Sequence, residues 1–68
     1  MWRASAVTYL LERRRVWLEK IAATPSGNVE LESKQIELIE RLVLDVRAGR
    51  VRTFALTHPK PVEIIVTN

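Results

Sequence analysis

Apolar residues recur along the first third of the chain at the spacing of an α-helix. Val7, Leu10, Leu11, Trp17, Leu18 and Ile21 fall on one stripe, with Thr8, Glu12, Arg15 and Glu19 opposite, as in a helix that lays one face on a core. The predicted helix runs over about residues 4–23. It stops at Thr24-Pro25-Ser26-Gly27-Asn28, a run of turn formers over residues 24–28. A second stripe, Ile36, Ile39, Leu42, Val43 and Val46, predicts a helix over about residues 33–48. The Ser33 hydroxyl suits a cap on the free amides of its first turn. Asn28 is an earlier alternative, and residues 29–32 are then either helical or an extended lead-in. Arg47 in the last turn complements the helix dipole, and Gly49 suits the left-handed residue that ends a helix.

After Gly49 the pattern changes to a period of two. Residues 50–57 and 62–67 read as strands rich in β-branched side chains. His58-Pro59-Lys60-Pro61 must be loop, because proline has no amide to give a ladder. The expected architecture is a single α+β domain over residues 1–68, ordered α-α-β-β, with a helical hairpin followed by an antiparallel β-hairpin. Setting Thr57 opposite Glu63 places Phe54, Leu56, Val62, Ile64 and Val66 on one face. Val51, Ala55 and Ile65 then point away from the helices. A two-stranded sheet is marginal alone and its edges are templates for pairing. Trp2, Tyr9, Val16 and Leu44 also stand off the helical stripes. So much apolar surface on so small a chain predicts association, first as a homodimer.

Length and composition narrow the remaining possibilities. A chain of 68 residues holds one modest core and leaves little room for a substrate pocket. It has no cysteine and one histidine, His58, beside Pro59 in the loop. A thiolate or multi-histidine zinc site is therefore excluded, and a reducing, cytoplasmic location fits. Gly27 and Gly49 are the only glycines, so no glycine-rich phosphate loop exists. Ser5, Ser26 and Ser33 sit in terminus, turn and cap contexts, with no acid–base pair evident beside them. The expectation is no enzyme, no catalytic residue, no cofactor and no metal. Charged residues interrupt every apolar run before it reaches the ~20 residues of a membrane span.

The net charge of +3 lies wholly in residues 1–28, where Arg3, Arg13, Arg14, Arg15 and Lys20 face only Glu12 and Glu19. Arg13-Arg14-Arg15 raises a nucleic-acid reading. On a helix, however, three successive side chains point about 100° apart and make no single patch. Arg14 is the odd one, landing within the apolar stripe near Leu10, Trp17 and Leu18. Either its stem packs on the core while the guanidinium reaches water or a carboxylate such as Glu63, or it anchors a partner.

The stretch Leu42-Val43-Leu44-Asp45-Val46-Arg47-Ala48-Gly49-Arg50-Val51-Arg52-Thr53-Phe54-Ala55-Leu56 resembles a pattern in short orphan proteins of proteobacteria and their temperate phages. In these a helix ends in an Arg-Ala-Gly type stop and runs directly into a strand. The arginine-rich, lysine-poor composition and the size are also similar to those of early accessory proteins of transposable phages. The helix-to-strand resemblance covers about the second half of the chain. The likeness in composition and size implies a dimeric binder, as several of those accessory proteins are, that disables a larger host protein such as a transcription regulator or a motor ATPase. The leading expectation is thus a non-enzymatic protein-binding regulator, an inhibitor or adaptor. Its candidate contacts are Trp2, Tyr9, Arg14, Val16, Leu44, Val51, Ala55 and Ile65. The alternatives are a small nucleic-acid-binding protein using Arg13, Arg14 and Arg15, and a structural subunit of a larger assembly.

Overall fold

The computed structural model describes residues 1–25, 27–58 and 60–67. Ser26 of the expected turn and Pro59 of the expected loop lie outside the described residues. The order is α1 (Arg3–Ala23), α2 (Glu30–Arg47), β1 (Thr53–Leu56) and β2 (Val62–Ile65), an α-α-β-β arrangement of the α+β class. The helices fold back on one another, and the hairpin lays its inner face against them.

The N-cap of α2 lies four residues earlier than the Ser33 cap predicts. Val29 is its N-cap and makes no side-chain cap, while the Ser33 amide donates to the Val29 carbonyl at 2.8 Å. Ser33 therefore lies inside the helix. Glu30 and Glu32 occupy the first turn, where the dipole favours acids, and Glu30 pairs with Lys34 one turn on at 3.2 Å. These interactions settle residues 30–32 as helix. At the other end the Gly49 amide donates to Val46 O (3.1 Å) and the Arg50 amide to Asp45 O (2.9 Å). Gly49 has φ +74°. This is the Schellman closure expected of Gly49, and Arg50 Nη2 further holds Asp45 at 2.9 Å.

The strands are shorter than predicted and their register differs by two residues. Leu56 faces Val62, Ala55 faces Glu63, Phe54 faces Ile64 and Thr53 faces Ile65. Ala55, and not Thr57, is opposite Glu63, so residues 57–61 make the connection. A shift of two keeps every side chain on its face. Phe54, Leu56 and Val66 are buried, Val62 and Ile64 half-buried, and Ala55 and Ile65 exposed. Val51 corrects the expectation, because it precedes β1, is half-buried and packs against the core. So does Tyr9, which also packs against the core.

One connection has no counterpart in the periodicity. Trp2 forms a parallel bridge with Thr67 beside β2. The Thr67 amide donates to Met1 O (2.6 Å), and the Arg3 amide donates to Thr67 O (3.0 Å). The Met1 amino group donates to Ile65 O at 2.9 Å. The start of the chain thus acts as a third short strand on the outer edge of β2. The Thr67 carbonyl satisfies a first-turn amide of α1 that the Trp2 side chain leaves uncapped. The outer edge of β1 stays open: Val66 N donates to Arg52 O at 2.7 Å, and the alternation turns the amides and carbonyls of Thr53 and Ala55 outward.

The core joins Ala6, Val7, Leu10 and Trp17 of α1, Ile39, Val43 and Val46 of α2, and Phe54, Leu56 and Val66 of the hairpin. Two members of the predicted α1 stripe, Leu11 and Leu18, are exposed. Among the described residues no helix is long and apolar enough to cross a membrane.

Candidate interaction surfaces

Leu11 and Leu18 are displaced from the buried side of α1 because they sit about 80–100° round the axis from Leu10. That flank turns away from the hairpin, which lies on the Tyr9 and Arg13 side. α2 brings Leu44 alongside, and an open groove of about 310 Å³ runs between the helices. Leu11, Arg14, Glu40, Val43 and Leu44 line it. Leu44 is 62% exposed, Leu11 43% and Leu18 40%. Across this apolar strip Arg14 Nε donates to Glu40 Oε2 at 3.0 Å. Glu40, rather than Glu63, is therefore the carboxylate partner of Arg14, since Arg14 lies at the seam between helices. Glu63 lies on the outer sheet face opposite Ala55.

A second apolar surface covers the outside of the sheet. The parallel bridge puts Trp2 on the same face as Thr67, and Thr67 alternates with Ile65 and Glu63. Trp2 is 64% exposed and Ile65 63%. Ala55 lies on this face too, on the neighbouring strand. The eight candidate contacts thus separate. Arg14 and Leu44 meet in the helix groove, and Trp2, Ala55 and Ile65 share the sheet face. Tyr9 and Val51 belong to the core margin, and Val16 is half-buried on α1. Sequence reasoning missed Leu11 and Leu18 as surface residues. The signal was their offset within a stripe too wide for one helix to bury.

The three successive arginines diverge as helical geometry requires. Arg14 is held by Glu40, and Arg15 is clamped between Glu12 and Glu19. The hydrogen bond from Arg15 holds the Glu12 carboxyl below its ordinary range, with help from the charges of Arg15 and Arg13, while the paired glutamates raise Arg15. Lys20 sits over the Trp17 ring at 4.5 Å. Phosphates approaching the side of Arg14 and Arg15 meet cations already paired with carboxylates. Among the described residues no three His, Cys, Asp or Glu side chains converge as a metal ion would need.

Comparison with protein-family models, with curated protein sequences and with solved structures finds no match.

Proposed function

We propose that this chain is a non-enzymatic protein-binding regulator that works as a homodimer, an inhibitor or adaptor seated on a larger protein. The observation that carries this reading is the groove lined by Leu11, Val43 and Leu44 and bridged by Arg14 and Glu40. A monomer this small gains nothing from leaving two leucines, Leu11 and Leu44, in water on one face. The occupant proposed for the groove is a second copy of the chain. The face carries one acid and one base beside its leucines, so a two-fold copy meets it with complementary charge, Arg14 to Glu40 and Glu40 to Arg14. The sheet face of Trp2 and Ile65, on another side of the molecule, is then left for the larger partner, and the likeness in composition and size to accessory proteins of transposable phages agrees with that mode of action.

The experiment is the oligomeric state of three chains in solution. The natural sequence should sediment as a dimer at tens of micromolar, Leu44→Glu as a monomer and Ile65→Lys as a dimer. A natural sequence that stays monomeric, or an Ile65→Lys variant that dissociates while Leu44→Glu does not, refutes the assignment.

A further inference from the structure

Between α1 and the hairpin connection lies a pocket of about 190 Å³, lined by Tyr9, Arg13, His58, Lys60 and Val62. It is on the opposite flank of α1 from the leucine groove. Three of its five lining residues are basic and none is acidic. Of the glutamates of α1, Glu12 and Glu19 are both engaged by Arg15, and Arg13 reaches Glu12 only through its charge, with no ion pair between them among the described residues. Arg13 itself is half-buried, and its Nη2 is buried without a hydrogen-bond partner among the described residues. Nη2 is itself closed off from the open space, so an anionic oxygen there would be met by the remaining N–H groups of the same half-buried guanidinium. Lys60 and His58 stand on the hairpin side of the same space and add attraction for an anion. Tyr9 adds a phenol that donates.

We propose that this pocket is an oxyanion-binding site, holding one phosphate or carboxylate group against Arg13, with Lys60, His58 and Tyr9 as the surrounding donors. The planar guanidinium suits either group. The volume accommodates one such group and a short stem, not a nucleotide. This goes beyond the dimer reading and does not depend on it, since the pocket and the leucine groove share no residue.

The test uses the full chain labelled with ¹⁵N, titrated with inorganic phosphate at ionic strength held constant with chloride. The Arg13 Nε–H and Val62 amide resonances should shift saturably. Replacing Arg13 by Gln should abolish the Val62 response, and Lys60→Gln should weaken phosphate binding several-fold. Lys60 is exposed, so that variant reports on the site even where Arg13→Gln disturbs the fold. At about ten times the dissociation constant, phosphate should raise the thermal midpoint by about 5–10 °C in the natural sequence and not in Arg13→Gln. A blocked glutamate dipeptide in place of phosphate distinguishes the source: tighter binding of the dipeptide assigns an acidic side chain, tighter binding of phosphate a phosphoryl group. Shifts that chloride reproduces, or that survive in an Arg13→Gln, Lys60→Gln double variant, overturn the proposal.

Discussion

Leu44 is the most informative single residue, because its contribution to association separates cleanly from any contribution to folding. It is 62% exposed on α2, so removing it takes little from the core. Fully burying a leucine side chain contributes about 1.5–3 kcal/mol. The share of Leu44 still in water corresponds to about 0.9–1.9 kcal/mol, and a two-fold interface counts it twice, giving about 2–4 kcal/mol. At about 1.4 kcal/mol per tenfold, truncation to alanine should weaken the dimer by about 25- to 700-fold. Leu44→Glu should exceed that, because two unpaired carboxylates would be carried into an apolar seam. Leucine and glutamate have nearly equal helix propensity. A glutamate at 44 would meet Glu40 one turn before it, with Arg41 and Arg47 on either side as compensation. Helical content and monomer stability should therefore change little. Sedimentation equilibrium over a concentration series reads the dissociation constant, and far-UV circular dichroism checks the helices. An unchanged dissociation constant in Leu44→Glu, or a natural sequence that remains a 7.8 kDa species throughout, would refute the reasoning.

The other predictions concern stability. Leu10→Ala, at a fully buried position, should cost about 3–5 kcal/mol, whereas Leu18→Ala should cost about 1–2 kcal/mol because 40% of Leu18 is already in water; equal urea midpoints would contradict the burial. Gly49→Ala forces a side chain into φ +74° and within 3.2 Å of Arg3 Nη2, and should cost about 1–2 kcal/mol. Gly27→Ala has the same backbone strain at φ +75° in open space and should show that share alone. The Glu12 carboxyl titrates below its ordinary 4.5 when folded. Its stabilisation is thus present above that value and lost as pH falls through the lower, folded value. Glu12→Gln should remove this small part of the acid limb, and an unaltered pH profile would show that the Arg15 pair adds nothing. Arg14→Gln breaks only a half-exposed pair, and should cost about 0.2–1 kcal/mol of monomer stability. A larger loss in the dimer than in the monomer is expected if Arg14 also crosses the interface.

What was legible in the chain was whatever depends on neighbours in sequence. The stripe of α2, the Gly49 stop and the alternation of the hairpin each involve contacts within a few residues, and each appears as expected. Ser33 misled because a hydroxyl before an apolar run is only one way to begin a helix. Here Glu30 and Glu32 in the first turn extend it backwards to a Val29 cap that has no polar side chain. The register slipped by two for a related reason. Both registers bury Phe54, Leu56, Val62, Ile64 and Val66, so the hydrophobic pattern cannot separate them, and either leaves five residues between its innermost pair. Long-range pairings were invisible. Nothing in the local pattern of Met1-Trp2-Arg3 says that it will lie along β2 or that the Thr67 carbonyl will cap α1. That pairing changes the reading of the surface. With Met1–Arg3 covering one edge of the sheet, the open β1 edge is only the four residues Thr53–Leu56, too short to be the main drive for association. In the proposed dimer that role falls to the exposed faces. The α1 stripe shows the same limit: Leu11 and Leu18 belong to it by spacing, yet α2 and the hairpin together cover only one side of the helix. An apolar stripe broader than the core can absorb, together with the off-stripe Leu44, is therefore the trace that the linear pattern carries of the proposed interface, and its excess is the face where a second copy would sit.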